Sequence, residues 1–309
     1  MSKRTIHPFL FILVCLLGSC EDIPTLTSTT LSGLIVKNPF FTKMENALIK
    51  SGLLLQFNDS QEIHTMLAPE DAAFERFEKL ENKDLEEFEA DILKKLILHH
   101  SIPGSWPGDT LRKTRSLPSA FGPDIRVTNT EGATYLNGAR VLFTDVYAQN
   151  GLLHGLDQVI VFIDTDNLAA LTALQQAPGG QDAAIELILE FIKTEGLEDL
   201  IGDQTCTLFL PTDSAMRTMT EPSFDELVRM PNDQKRAFLH HHLIQGEGRF
   251  LPELSLDPVK TSAGETIRVD LNARSVGVVK VGKEKWAEVI RGNIETNKGV
   301  IHLINRTLN

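Results

Sequence analysis

The segment that decides the fold is TMLAPEDAAF at residues 65–74, which returns as TLFLPTDSAM at residues 207–216. Each copy contains a short apolar run that ends at a proline, and this pattern predicts a buried strand. An aspartate and small residues follow, which is typical of a helix start. Recurrence after 142 residues predicts two copies of one structural unit.

Two further blocks repeat in the same order. LHHSIPG at 98–104 aligns with HHHLIQG at 240–246, again 142 residues on. NGLLHGLD at 150–157 aligns with KGVIHLIN at 298–305, which is 148 residues on. Three ordered matches with a drift of only six residues indicate a duplication. The length of 309 residues also suits two domains of ~100–200 residues each.

Helices are predicted in the first two thirds of each copy. Apolar residues keep helical spacing near 40–48 and near 185–192. Longer segments at 85–100 and 224–242 are also expected to be largely helical. The helices are therefore grouped at the start of each copy, which does not suit an alternating strand–helix order.

Strands are predicted in the last third of each copy. Asn137-Gly138 stands between two apolar runs and is a strong signal for a β-hairpin. The pairs Glu70-Asp71 and Thr212-Asp213, which follow the two prolines, are expected to cap the next helix. Helices followed by antiparallel strands predict an α+β fold class.

The ordered blocks resemble the signatures of the fasciclin domain, and they do so twice. The resemblance covers nearly the whole chain after its N-terminal segment. It implies two compact α+β domains, each of helices packed around two small β-sheets, and adhesion or matrix binding rather than catalysis. The positions that match family motifs, as structural or partner-binding residues, are Asp71, His100, His154 and Asp157 in the first copy and Asp213, His242 and His302 in the second.

Two family motifs are altered. The Tyr of the family's Tyr-His element is replaced by His99 and His241. The Asp-Ile pair that some animal members use toward integrins falls at Asp145-Val146 in the first copy and at Asn293-Ile294 in the second. Neither copy keeps the pair intact, so the resemblance does not extend to integrin binding.

The N-terminus resembles a bacterial lipoprotein signal. Lys3 and Arg4 precede an apolar run at 8–18, which is too short for a bilayer that needs ~20 helical residues. Leu-Gly-Ser-Cys at 17–20 then implies cleavage before Cys20 and attachment of lipid to its sulfur. The alternative is an ordinary signal peptide that contains a cysteine.

These features divide the chain into four parts. We expect a signal peptide at 1–19, a lipidated cysteine and Thr/Ser-rich tether at 20–35, and fasciclin-like domains at 36–163 and 164–309. The expected location is the bacterial cell envelope, lipid-anchored, in the outer membrane or exposed at the surface. Glu21-Asp22 resembles an export signal in some lipoproteins and a retention signal in others, so the membrane leaflet stays open.

Composition excludes several classes of function. The formal net charge of −12 argues against nucleic acid, because phosphate binding requires clustered cations. After processing only Cys206 remains of three cysteines, and its apolar surroundings favour a buried strand residue over a nucleophile. No nucleophile elbow or phosphate loop is present, so we expect neither an enzyme nor a cofactor.

The nine histidines do not predict a metal site. Adjacent positions on a helix point ~100° apart, so His240-His241-His242 cannot converge on one ion. The histidines that recur with the repeat are expected to be hydrogen-bonded structural residues. His99, His240 and His241 are expected to be exposed or partly exposed.

The sequence leaves two binding functions open. The favoured hypothesis is a lipid-anchored protein that binds an extracellular or periplasmic protein or polysaccharide through its two domains, with tandem contacts adding to affinity. The alternative is an accessory glycan-binding lipoprotein of a polysaccharide uptake system. Trp106, in a loop after Pro103-Gly104-Ser105, is the candidate for stacking on a sugar, although a Trp folded onto its own domain is the more common case.

Overall fold

A computed structural model describes residues 29–59, 61–176, 183–202, 204–220, 222–256, 259–273, 275–280 and 283–308. The predicted signal peptide, Cys20 and most of the predicted tether lie outside these ranges. Within them, no helix is both long and apolar enough to cross a membrane.

The first domain contains five α-helices, two 3₁₀ helices (Gln56–Asn58 and Leu85–Glu87) and seven strands in its described residues. The helices are α1 (Leu31–Lys37), α2 (Thr42–Lys50), α3 (Asp71–Glu81), α4 (Ala90–His99) and α5 (Gly108–Leu111). The strands are β1 (His64–Pro69), β2 (Ser101–Pro103), β3 (Ser116–Leu117), β4 (Ile125–Thr130), β5 (Ala133–Leu136), β6 (Ala139–Ala148) and β7 (Gly151–Leu156). A short strand, β8 (Val161–Ile163), leads into the second domain.

The second domain repeats this order. Its described helices are α6 (Asn167–Gln176), α7 (Glu186–Thr194), α8 (Asp199–Gly202), α9 (Asp213–Thr218), α10 (Phe224–Arg229), α11 (Asn232–His241) and α12 (Leu251–Leu256). Its strands are β9 (Cys206–Pro211), β10 (Leu243–Gln245), β11 (Val259–Lys260), β12 (Thr266–Asp270), β13 (Ser275–Lys280), β14 (Lys283–Thr296) and β15 (Gly299–Ile304). The predicted α+β class is confirmed.

The two domains share one strand order. It is β2-β1-β7-β6-β5-β4-β3 in the first and β10-β9-β15-β14-β13-β12-β11 in the second. The central pairs β1–β7 and β9–β15 are parallel, and the other neighbours on each path are antiparallel. Strand β8 pairs in parallel with β14, so the end of the first half joins the sheet of the second.

Each domain has two hydrophobic cores, one on each face of its central strands. In β1, Met66 and Ala68 pack in the core beneath the helices, whereas Leu67 packs in a second core with residues of β2 to β5. This alternation follows from the two-residue period of a strand. The seven strands of the first domain form one continuous hydrogen-bonded path, in which β6 connects β2–β1–β7 to β5–β4–β3.

The structure differs from the predicted tether at residues 31–35. These residues form most of α1, and Leu31 and Ile35 lie fully buried in the helical core. Thr30 begins the helix, since its side chain accepts a hydrogen bond from the Gly33 N–H. The apolar helical spacing outweighs the Thr/Ser-rich composition that suggested a tether.

Other local predictions had mixed outcomes. The hairpin at Asn137-Gly138 is confirmed, and both residues have positive φ, 45° and 85°, as a type I′ turn requires. The capping prediction was right for Thr212, which accepts from the Ala215 N–H. It was wrong for Glu70-Asp71. Glu70 stands at the N-cap of α3 without a side-chain hydrogen bond to the helix, and Asp71 accepts instead from the N–H of Lys43 in α2 at 2.8 Å.

Candidate functional site

The altered Asp-Ile motif lies at a β-bulge in each domain. Strand β6 shifts register between Phe143 and Val146, and β14 shifts between Arg291 and Ile294. Within these bulges Asp145 has φ 66° and Asn293 has φ 59°. Asp and Asn tolerate this left-handed conformation better than other residues with a side chain. The motif position therefore has a backbone role in this chain.

The side chain of each bulge residue also caps the N-terminus of a helix from another part of the chain. The Asp145 carboxylate accepts from the N–H of Gly108, the first residue of α5, at 2.8 Å. The Asn293 side-chain oxygen accepts from the N–H of Leu251, the first residue of α12, at 2.9 Å. Burial raises the pKa of Asp145, but the hydrogen bonds from Gly108 and Thr144 hold it below its ordinary value. The aspartate is thus ionised at neutral pH.

A histidine ring holds each bulge by accepting a hydrogen bond from its backbone. The N–H of Asp145 donates to Nδ1 of His154 at 3.1 Å, and the N–H of Asn293 donates to Nδ1 of His302 at 3.1 Å. Nε2 must then carry the proton, and it donates to the Trp106 carbonyl at 2.9 Å in the first domain and to the Arg249 carbonyl at 3.0 Å in the second. Burial lowers the pKa of both histidines, for His302 to about 4.

His100 and His242 each connect the end of a helix to a later segment through two hydrogen bonds. Nδ1 of His100 donates to the Leu96 carbonyl at 2.8 Å, and its Nε2 accepts from the Ile160 N–H at 2.9 Å. His242 repeats the arrangement with the Phe238 carbonyl and the Leu308 N–H. Burial lowers the pKa to about 3 for His100 and about 4 for His242. Both rings are therefore neutral and fixed in one tautomer.

The remaining motif positions hold backbone in the same manner. Asp157 accepts from the Arg140 N–H at 2.7 Å, and the equivalent Asn305 accepts from the Glu288 N–H at 2.8 Å. Asp213 accepts from the N–H of Leu187 in α7, as Asp71 does in α2. The structure pairs Asp145 with His154 and Asn293 with His302, and it leaves the other motif positions apart from these pairs.

Replacing Asp145 with alanine is expected to destabilise the first domain, because the cap of α5 is lost and alanine is strained at φ 66°. Together these effects amount to about 2–3 kcal/mol. Asp145→Asn is expected to lower the free energy of unfolding by less than about 0.5 kcal/mol, since Asn293 accepts the equivalent hydrogen bond in the second domain. Urea unfolding of both variants measures the difference. Equal losses for alanine and asparagine would contradict the capping role.

One prediction about the histidines was wrong. His99 was expected to be exposed or partly exposed, but only 1% of it is accessible. Its Nδ1 is 2.7 Å from the Phe121 carbonyl, and the Phe162 ring lies 5.5 Å from its own ring. Both phenylalanines come from segments that fold over the end of α4. His240 and His241 are partly exposed, as predicted.

The bulge faces of the two domains differ in exposure. In the first domain Val146 is 37% and Tyr147 73% exposed. In the second domain the equivalent Ile294 and Glu295 are 1% and 8% exposed. Ile294 packs in the core of the second domain, and Asn137 in the hairpin of the first domain donates to the Glu295 carboxylate at 2.9 Å. We call the exposed surface of Leu142, Val146 and Tyr147 the open face.

Arg126 is the centre of the junction between the domains. Its guanidinium donates to the Gly248 carbonyl at 2.7 Å and to the Glu253 carboxylate at 3.2 Å. It also lies 4.1 Å from the centre of the Phe250 ring and 4.0 Å from Glu295. Burial raises the pKa of both carboxyls, for Glu295 to about 7, although Arg126 opposes the shift.

Sequence reasoning missed this junction. The triplet Ile-Arg-Val occurs at 125–127 and again at 267–269, so a repeated arginine was visible. The partners of Arg126 could not be recognised from the repeat, because Glu253 and Glu295 have no acidic counterpart in the first copy. Asn137 was recognised only as a turn residue.

Other candidate sites received no support in the described residues. No group of three His, Cys, Asp or Glu side chains there is placed to hold a metal ion. Cys206 is buried, and burial raises the pKa of its thiol to about 12. Trp106 is half-buried against the second core of its domain, and its indole N–H donates to the Pro103 carbonyl at 2.9 Å.

Comparisons with known proteins found relatives of this chain. Human stabilin-1 is 25% identical over 198 residues, which is 60% of this chain and 8% of stabilin-1. Human periostin is 26% identical over 181 residues, which is 57% of this chain and 20% of periostin. The chain thus spans less than a third of the length of these relatives.

A solved structure of a FAS1 domain pair from the insect cell adhesion molecule fasciclin I aligns over 86% of this chain and 96% of its own. Its sequence identity is 19% and its TM-score is 0.40. The model of the Fasciclin domain family matches residues 39–162 and again residues 184–309. The chain therefore belongs to the fasciclin domain family and carries two copies of the domain.

Proposed function

We propose that this protein is a lipid-anchored component of the bacterial cell envelope that binds an extracellular or periplasmic partner without catalysis. The open face of the first domain is the observation that carries the proposal. Tyr147 is 73% exposed on β6, where it pairs with Leu152 of β7. Large exposed aromatic residues on rigid elements are typical anchors of protein interfaces.

The chemistry of the open face favours a protein partner. Leu142 and Val146 are exposed apolar residues of the same strand as Tyr147, and the ionised Asp145 lies between them in sequence. An apolar centre with charge at its edge is the usual composition of a protein interface. The polysaccharide alternative depends on Trp106, whose indole N–H is already bonded within its own loop.

The domain junction changes the expected stoichiometry. Two equivalent domains suggested two equivalent contacts and a gain from avidity. The bulge face of the second domain, however, is covered by Asn137 and Arg126 of the first. We therefore expect one partner-binding face per chain, presented by the first domain and supported by the second.

The open face is tested with beads that carry the mature chain, applied to surfaces coated with fibronectin, type I collagen or a glycan array. Tyr147→Ala is expected to reduce bead adhesion at least ten-fold, since interface anchors contribute about 2 kcal/mol or more. Val228→Ala, at an exposed position of α10 in the second domain, is the matched control and should adhere like the unchanged chain. Equal adhesion of all three proteins, or its absence from every surface, would overturn the assignment of the open face.

The anchor is tested separately in cells. Incorporation of labelled palmitate should require Cys20, so Cys20→Ser is expected to abolish it and release the protein from the membrane fraction. Protease treatment of intact cells then distinguishes a surface location from a periplasmic one. Labelling that persists in Cys20→Ser would contradict the proposed lipidation.

A further inference from the structure

An apolar cavity lies where the two domains and their connecting strand meet. Its volume is about 370 Å³, within the range of small-molecule sites. Helices α3 and α4, strand β8 and helix α6 contribute to its walls. The walls consist mainly of aromatic and aliphatic side chains, among them Phe77, Phe88, Leu96, Phe121, Phe162 and Leu174.

His99 is a buried polar residue in this largely apolar lining. Its Nδ1 lies 2.7 Å from the Phe121 carbonyl, which can only accept, so Nδ1 carries the proton. Nε2 is then an acceptor, and no described residue donates a hydrogen bond to it. Burial lowers the pKa of His99 and keeps the ring neutral. A buried acceptor without a donor costs about 1–3 kcal/mol, which a ligand donor would recover.

The second domain lacks this arrangement at the equivalent position. His241 corresponds to His99 in the repeat, but its Nδ1 lies 2.7 Å from the Glu265 carboxylate and the side chain is partly exposed. The repeat position alone therefore does not require a buried acceptor without a partner, since His241 is paired there. Among the described residues, Nδ1 of His240 is a second buried nitrogen without a partner, and it lies outside the cavity.

The charged groups at the cavity favour a neutral ligand. Arg291 and Glu81 line it, and they form an ion pair with each other. Lys95 and the exposed Asp164 also line it, and the Lys95 ammonium is 5.6 Å from the centre of the Phe121 ring. The formal charges of these four side chains sum to zero. Because Arg291 is already paired, it is a poor partner for a carboxylate.

We propose that this cavity binds a small, neutral, apolar molecule that carries one hydroxyl group, and that the hydroxyl donates to Nε2 of His99. The four phenylalanines would enclose the apolar part, and Ile92, half of whose surface is exposed, would lie at the entrance. The inference is independent of the proposed adhesion, because the open face is formed by other residues of the first domain.

The test compares 1-naphthol with 1-methoxynaphthalene, which has the same rings but no donor. Calorimetric titration of the mature chain is expected to give at least ten-fold tighter binding of 1-naphthol, since one hydrogen bond to a buried acceptor is worth about 1.4 kcal/mol. His99→Phe should remove that preference, so that the two compounds bind within two-fold of each other. His241→Phe is the matched control and should keep the preference.

A blocking variant keeps the test decisive if His99→Phe does not fold. Ala173→Trp places a large ring at an exposed position of the cavity wall and is expected to weaken 1-naphthol binding at least ten-fold. Equal affinity for the two compounds, no measurable binding of either, or full binding to Ala173→Trp would each overturn the proposal.

Discussion

Replacing Gly151 with alanine is expected to unfold the first domain while the second stays folded. Gly151 begins β7 with φ 144°, and it pairs with His64 of β1 in the centre of the sheet. A Cβ built at this position overlaps the backbone oxygen of His64. Backbone atoms cannot rotate away as a side chain can, so the parallel pairing of β1 with β7 must open. The cost should exceed about 4 kcal/mol, against a total of about 5–15 kcal/mol for a typical domain.

Gly299→Ala is the matched change in the second domain. Gly299 has φ 145°, and an added Cβ overlaps the backbone oxygen of Cys206 in the same way. Trp106 and Trp286 place one indole in each domain, so fluorescence during urea unfolding follows the domains separately in Trp286→Phe and Trp106→Phe backgrounds. Each glycine variant should lose the transition of its own domain.

The control for these variants is Gly52→Ala. Gly52 also has positive φ, 73°, but nothing lies near an added Cβ. It should cost only the backbone strain, about 1 kcal/mol. A Gly151→Ala protein with the unfolding midpoint of Gly52→Ala would show that close packing of β1 against β7 is not what requires glycine there.

The repeat allowed the fold to be predicted from the sequence, because the same local sequence patterns occur twice. A buried strand that ends at proline and a His that recurs 142 residues later could each be recognised from neighbouring residues. The expectation that His100 and His154 are held by hydrogen bonds rested on this recurrence. The carbonyl and N–H groups that hold them come from distant segments, and no local pattern identifies those.

Differences between the copies were the part that could not be predicted. His99 and His241 occupy the same position in the repeat, yet Phe162 of the connecting strand covers only His99. Glu295 and Tyr147 are also equivalent, but Arg126 and Asn137 cover Glu295 and leave Tyr147 exposed. Packing between the domains decides these outcomes, and it depends on contacts far apart in sequence.

Acid is expected to unfold both domains well above the pH at which surface carboxylates are fully protonated. His100, His242 and His302 titrate at about 3, 4 and 4 when folded, against an ordinary value of 6.5. Between these values the unfolded chain binds protons that the folded chain does not. The free energy of unfolding therefore falls as the pH is lowered from 6.5 toward 4, by about 1.4 kcal/mol per pH unit for each histidine.

The raised pKa of Glu295 has the opposite effect on the pH dependence of the free energy of unfolding. Its pKa is raised to about 7 from 4.5, so over that range the folded state holds the extra proton. This offsets about one of the two histidines, His242 and His302. The raised pKa of Glu253 and the lowered pKa of His240 act in opposite directions to each other, so a slope of about 1.4 kcal/mol per pH unit should remain in the second domain. Glu295→Gln is expected to double that slope, whereas His302→Gln, which keeps a donor and an acceptor, should bring it close to zero.

Urea unfolding of the second domain at pH 4.5, 5.5 and 6.5, followed by Trp286 in the Trp106→Phe background, measures these slopes. Leu303→Ala is the control, because it removes a buried side chain from β15 without changing any titratable group. It should lower the stability by about 2–5 kcal/mol at every pH and leave the slope unchanged. A His302→Gln slope equal to that of Leu303→Ala would mean that His302 already takes up its proton in the folded state. In that case the N–H of Asn293 could not be donating to it, and the bulge would need another support.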